Sequence, residues 1–275
     1  MNHNKMRGVY DRLIAVDLDG TLLQPDNSVS LENLDAINRA GQQRTIVVVV
    51  TGRPYVSADK IARRFSLPPV PIVSFNGAVI RRPDSGEILH QSLLSAEFAT
   101  EILNECLRQD RHVHFYVDDT MYVNRNDRWT RLYCERSEME HLVVDDMRVF
   151  TGQAAIKLLA IDEPEQIGPL FQACHERWTG RVYVTRSMPE YIEFLSPQAT
   201  KGHALDWLID FFGIERENTL AIGDAMNDLP LFERAGSSVA MPQGNDALKS
   251  LAHFVPPQQR TGVAAAIDWF LDTHK

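Results

Sequence analysis

The chain predicts an α/β fold in which a parallel sheet carries helices on both faces and an α+β unit is inserted between the two halves of that core. Three observations in its 275 residues carry this expectation. Val- and Ile-rich runs alternate with segments of helical period from residue 12 to residue 75, and the alternation resumes after residue 201. Between them the pattern changes to short strand candidates around two amphipathic helices.

Taken in order, LIAV, LENLDAINRAG, IVVVV, the helical stretch around VSADKIARRF and VPIVSF read as strand, helix, strand, helix, strand. The near-continuous apolar runs predict a sheet buried on both faces. In the insert, SAEFATEILNECLRQD places Phe98, Ile102, Cys106 and Leu107 near helical spacing. Pro164 opens a second helix that buries Ile167, Leu170, Phe171, Cys174 and Trp178. VHFYV, MYVN, AIKLLAI, RVYV and YIEFL are the strand candidates around them. After Lys201, HALDWLIDFFG reads as a helix closed by Gly213, TLAIG as a strand, LPLFERAG as a helix ending at Gly236, and SSVAM as a last strand. The expected division is residues 1–85 and 193–275 for the core and 86–192 for the insert.

Composition narrows the function. Apolar residues make up 44% and charged residues 24%, the balance of an ordinary globular protein. Ile46–Val50 falls far short of the roughly 20 apolar residues that cross a bilayer, and the start MNHNKMRGVYDR has no signal-peptide apolar region. These features predict a cytoplasmic protein with no membrane partner. Three cysteines without CxxC spacing suggest buried thiols rather than disulfides or zinc. A net charge of -9 argues against a nucleic-acid partner. An anionic small molecule can still bind where a metal ion and helix N-termini supply local positive potential.

Three motifs carry chemistry. Asp17-Leu18-Asp19-Gly20-Thr21 follows LIAV; strand alternation throws Asp17 and Asp19 to one side, and Gly20 permits a tight turn. One carboxylate can attack phosphorus while the other moves a proton, given a metal ion to screen repulsion from a phosphate. An Asp-Gly hairpin is the competing reading. A calcium loop starting at Asp17 fails, because Leu22 and Ser28 stand where Gly and Glu are needed. Thr51-Gly52-Arg53 ends IVVVV and suits a phosphate oxygen, although Thr51 also reads as a helix cap. Gly223-Asp224-Ala225-Met226-Asn227-Asp228 follows TLAI and offers hard oxygen ligands of the kind magnesium prefers, or an Asp-capped first turn. Lys201 in ATKGH supplies one ammonium. Each motif lies just past the carboxyl end of a predicted parallel strand, where open α/β sheets bind ligands. His112 and His114 alternate on one strand but have no third ligand at suitable spacing.

Together and in this order, DLDGT, TGR, Lys201 and GDAMND resemble the four signature motifs of the haloacid-dehalogenase-like hydrolase superfamily. The long insert, SFNGA at Ser74–Ala78 and AGSSVAM are similar to its Cof-type branch, which carries a large α+β cap. The resemblance implies a Rossmann-like core and a magnesium-dependent phosphatase acting on a small phosphorylated metabolite such as a sugar phosphate, nucleotide or cofactor phosphate. It implies Asp17 as nucleophile and Asp19 as general acid and base. Thr51 and Lys201 become phosphate clamps, with Gly20, Gly52 and Arg53 also binding the phosphate or substrate. Magnesium would be held by Asp17, Asp19 through its carbonyl, and Asp224, with Asp228 supporting the site directly or through water. Asn227 would reach the phosphate and Asn76 would lie near the cap interface. MPQGNDALK and PPQQRTGVAAAI depart from the family pattern, which leaves the contacts of those loops open. A phosphomutase and a non-catalytic phosphometabolite sensor are the alternative functions.

Overall fold

A computed structural model of the chain describes residues 6–274. The first five residues of the polar amino-terminal stretch and Lys275 lie outside the described residues. The chain opens with β1 (Arg12–Val16), α1 (Leu31–Gln42), β2 (Thr45–Val49), α2 (Tyr55–Arg64) and β3 (Ile72–Ser74), followed by β4 (Val79–Arg81) and β5 (Ile88–Gln91). The insert runs through α3 (Ala96–Arg108), β6 (His112–Val117), β7 (Thr120–Val123), α4 (Arg128–Ser137), β8 (Leu142–Val143), β9 (Lys157–Ile161), α5 (Pro164–Trp178), β10 (Tyr183–Thr185) and β11 (Tyr191–Leu195). The core closes with α6 (Lys201–Phe212), β12 (Thr219–Gly223), α7 (Leu229–Arg234), β13 (Ser237–Ala240), α8 (Asp246–Leu251) and α9 (Gly262–Thr273).

The core sheet is parallel, in the order β13-β12-β1-β2. Its strands bury both faces because side chains alternate. Ile14, Val16, Val47 and Val49 pack with Ala36, Ile37, Ile267 and Phe270 from α1 and α9. Leu13, Ala15, Ile46 and Val48 pack with Leu205, Leu208, Phe212 and Leu231 from α6 and α7. Gly213 ends α6 in the left-handed conformation, φ +68°, as its position predicts.

Several elements depart from what the sequence pattern predicts. VPIVSF yields only the short β3, which touches the parallel sheet through a single bridge, Val50 to Val73, and pairs antiparallel with β4. β4 pairs in turn with β5, so residue 86 falls inside a hairpin, and the paired residues of β11 run on to Leu195. Local composition cannot locate those edges, because the pairing partners are distant. α7 stops at Arg234, short of Gly236, and Leu170 and Phe171 are only partly buried. Cys106 and Cys174 are buried, whereas Cys134 is only partly so. α4, with four charged residues among its ten, lacks the apolar stripe that would have revealed it; Asp127 caps its start by accepting from the Trp129 and Thr130 amides.

The insert forms its own sheet, β10-β11-β9-β6-β7-β8, mostly antiparallel. One face is covered by α3 and α5 through Ile102, Leu103, Ile167 and Trp178. The other face carries Tyr116, Leu159 and Tyr191, joined by Tyr133 of α4, and it packs against Phe75, Ala78 and Val79 of the core. The insert therefore lies over the carboxyl ends of the core strands as a cap.

Candidate active site

β1 leads to β2 on one side, while β12 leads to β13 on the other, so the strand order reverses between β1 and β12. The crevice beyond such a reversal is where open parallel sheets place ligands. Asp17 follows β1 and Asp224 follows β12; the Asp17 amide donates to the Ile222 carbonyl at 3.0 Å, which fixes the two loops side by side.

Lys201, the first residue of α6, is fully buried. A cation at a helix N-terminus opposes the helix dipole, and burial opposes it further. Two carboxylates offset both effects: Lys201 Nζ donates to Asp17 Oδ1 at 2.6 Å and to Asp228 Oδ1 at 2.5 Å. Burial lowers the lysine's proton affinity, but Asp17 and Asp228 outweigh it and hold the ammonium charged. Asp228 is also fully buried, and its Oδ2 accepts from the amides of Asp224 (3.0 Å) and Ala225 (3.1 Å), which shapes the GDAMND turn.

One carboxylate oxygen from each of Asp17, Asp224 and Asp228 can lie within 4.8 Å of the other two. One ammonium leaves this group with excess negative charge. Burial pushes the Asp17 carboxyl well above the ordinary carboxylate range, and Asp228, Asp224 and Asp19 push it further, against the pull of Lys201. Asp224 is pushed up to about 7, first by burial and then by Asp228. An oxygen-only donor set with uncompensated charge fits a hard divalent cation. Gly20 closes this arrangement from below: with φ +78°, it lies so near Asp224 that a Cβ would stand 2.3 Å from Oδ2.

The Asp19 side chain stands apart from this acidic group. Both of its oxygens accept from Arg53, Oδ2 from Nε at 2.8 Å and Oδ1 from Nη2 at 2.6 Å. Arg53 thus orients the DLDGT loop. Thr51 is fully buried, and its hydroxyl accepts from the Arg53 amide at 3.1 Å. Asn76 is also fully buried, and its Oδ1 accepts from Asn227 Nδ2 at 3.0 Å. Gln243, in the loop that departs from the family pattern, donates to the Gly20 carbonyl, and the Asn245 amide donates to the Asp224 carbonyl at 2.8 Å. That loop therefore braces the acidic group.

A cavity joins these residues to the cap. Its floor is formed by Asp17, Asp19, Gly52, Arg53, Asp224 and Asn227, and its roof by Tyr133, Arg136, Lys157, Met188, Tyr191 and Glu193. Motif reading missed the roof. Lys157 and Glu193 did leave a signal, each being a charge inside an otherwise apolar strand, AIKLLAI and YIEFL. Tyr133 and Arg136 left none, because they belong to the unpatterned α4. His112 and His114 lie elsewhere in the cap, with their Nε2 atoms 2.9 Å apart. Among the described residues, Asp17, Asp224 and Asp228 form the one group arranged to share a cation.

Residues 14–267 match the family model described as haloacid dehalogenase-like hydrolase. The chain belongs to that family. It is 30% identical to the 5-amino-6-(5-phospho-D-ribitylamino)uracil phosphatase YitU of Bacillus subtilis, over 88% of this chain and 90% of the relative. It is 29% identical to an HMP-PP phosphatase of Serratia proteamaculans, over 87% of each chain. Among solved structures, a haloacid dehalogenase-like hydrolase from B. subtilis aligns with TM-score 0.84 and 26% identity, covering 94% of this chain and 99% of that one. The Rossmann-like core and α+β cap are thus a family architecture. Among the described residues, no helix is long and apolar enough to cross a membrane.

Proposed function

We propose that this hydrolase is a magnesium-dependent phosphatase that removes phosphate from a small metabolite by way of a phosphorylated Asp17. The observation that carries the reading is Asp17 itself: a buried carboxylate held 2.6 Å from a fixed ammonium, beside Asp224 and Asp228, at the floor of a capped cavity. The names of the relatives support phosphate-ester hydrolysis. Because two of them are named for different phosphometabolites, they support the class and no single member of it.

In this mechanism an Asp17 oxygen attacks phosphorus while the bond from phosphorus to the leaving oxygen breaks. Asp19 delivers a proton to that oxygen. Water then attacks the aspartyl-phosphate, Asp19 takes up its proton, and inorganic phosphate departs with Asp17 regenerated. Serving as acid and base requires Asp19 to turn from Arg53 toward the cavity that it already lines. Lys201 neutralises the attacking carboxylate and remains beside the phosphoryl oxygens, and the Thr51 hydroxyl lies at the end of β2 as a further partner. Magnesium would be held by Asp17, the Asp19 carbonyl and Asp224 with support from Asp228, and would supply charge that lets a carboxylate approach a phosphate. The cap roof contacts the leaving group and excludes bulk water.

Replacing Asp17 by Asn should lower hydrolysis of p-nitrophenyl phosphate by about 10⁴-fold or more while the far-UV circular dichroism stays unchanged. Stripping divalent ions with chelator should stop turnover, and added magnesium should restore it. A well-folded Asp17→Asn protein that retained activity would remove the basis for the mechanism.

A further inference from the structure

A chain of hydrogen bonds runs from the cap to the GDAMND turn, and its polarity is fixed at one end. Lys157 and Glu193 sit on neighbouring cap strands, β9 and β11, and both are almost completely buried. Lys157 Nζ donates to Glu193 Oε2 at 3.3 Å, and Asn76 Nδ2 donates to the same oxygen at 3.0 Å. Asn76 Oδ1 then accepts from Asn227 Nδ2 at 3.0 Å.

An ammonium can only donate and a carboxylate can only accept, whereas an amide can turn over and exchange its two ends. With an acceptor held beside it, Asn76 must present its nitrogen to Glu193 and therefore its oxygen to Asn227. Asn227 must in turn present its nitrogen. Its Oδ1 is sealed away from solvent without a partner, although the residue lines the cavity beside Asp17 and Asp224. The amide NH₂ carries two N–H groups, and Asn76 uses one of them.

The backbone around Asn76 is built for placement. Phe75 and Asn76 take φ +51° and +56°, a left-handed pair that is rare for an aromatic residue. Gly52 passes so close that a Cβ there would stand 3.0 Å from Asn76 Oδ1.

We infer that Glu193 is a positioning residue: acting through Asn76, the cap fixes the Asn227 amide so that it offers the phosphate a hydrogen-bond donor instead of an acceptor. This rests on the phosphatase reading above. It ties the donor array at the reacting end to the presence of the cap, since Glu193 belongs to the cap and Asn227 to the core. Without an acceptor at 193, the two amides can turn over together and present an oxygen to a phosphate oxygen.

The test separates an acceptor from a charge. In Glu193→Gln, Lys157 still pins the side-chain oxygen at the same place, so the relay predicts that the Asn76 and Asn227 amides keep the parent's orientation. In the double variant Lys157→Met/Glu193→Met, a buried ion pair becomes an apolar pair of similar volume, a change that folded proteins tolerate. The relay predicts a loss of at least about tenfold there, alike on p-nitrophenyl phosphate and on the best metabolite ester, because a donor aimed at reacting charge is worth about 10² to 10³ in rate. A folded double variant as active as the parent, or a loss confined to the metabolite ester, would overturn the inference. The side-chain amide NMR signals of Asn76 and Asn227, assigned by loss on substitution, give a readout that needs no turnover. They should be single and protected in the parent and the Gln variant, and broadened or doubled in the double Met variant; unchanged signals there would also overturn it. A parent that hydrolyses no phosphate ester with magnesium present would strike the phosphatase reading, and the amide signals would still decide the relay.

Discussion

At Gly20 the backbone turns through φ +78° directly beneath Asp224. Any side chain there meets two penalties: left-handed strain, and a Cβ driven into the carboxylate it supports. On the magnesium site proposed above, Gly20→Ala should therefore weaken magnesium affinity and kcat/KM by about 10- to 100-fold, the usual consequence of disturbing what orients a metal ligand. Calorimetric titration with magnesium and steady-state kinetics would check this, and near-parental affinity would contradict it. The sequence displayed Gly20 as a turn former; that its Cα lies against residue 224 is a fact of assembly. Asp17, Asp19, Thr51, Lys201 and Asp224 were legible because each sits at a strand or helix end whose local pattern is strong. Glu193 was not, because its meaning depends on Lys157, Asn76 and Asn227, drawn from three other segments.

Strand β6 shows what one element can hide. Its alternation puts His112, His114 and Tyr116 on one face, with His114 fully buried and bonded to His112 at 2.9 Å. Burial pushes the His114 imidazole well below its ordinary range, and neighbouring His112, Lys157 and His141 push the same way. The unfolded chain therefore takes up this proton first as pH falls. The stabilisation is complete above an ordinary histidine pKa of about 6.5 and is lost progressively below it. Between pH 7.5 and 5.5 the parent should lose more unfolding free energy than His114→Gln, by up to about 1.4 kcal/mol. Urea denaturation of both proteins at the two pH values measures this, and equal slopes would refute it. The strand itself was plain from VHFYV. The neighbouring α4 was not, since its helix rests on the Asp127 cap and on burial of Thr130, Tyr133 and Ser137 rather than on periodicity.

At the scale of the whole molecule, cap and core also meet through the end of α4, next to Ser137 of the cavity wall. Glu138, which ends α4 in a left-handed conformation at φ +53°, accepts from Arg64 Nη2 at 2.8 and 2.7 Å, and its carbonyl accepts from Lys60 Nζ at 2.8 Å. Both side chains of the Arg64 pair are more than a third exposed, so the pair adds little to global stability, about 0–1 kcal/mol. Glu138→Ala should leave the unfolding midpoint almost unchanged yet speed amide exchange through the last turn of α4. Hydrogen exchange read by mass spectrometry would show it, and unaltered exchange would rule out a docking role. The two-part organisation was visible from the change of pattern along the chain, whereas the docking surface depended on α4 and stayed hidden.

The pairing of β1 with both β2 and β12 has a consequence for how the protein comes into being. As the chain leaves the ribosome, β1 finds β2 within a few dozen residues, but its other edge waits until Thr219–Gly223 emerges, after the entire insert has been made. Long-range closure of this kind slows folding and leaves an apolar strand edge open to wrong partners. The insert, whose sheet is built entirely from its own strands, can meanwhile gather its own core. Synthesis order thus places the strand that carries Asp17 well before the segments that complete the pocket around it.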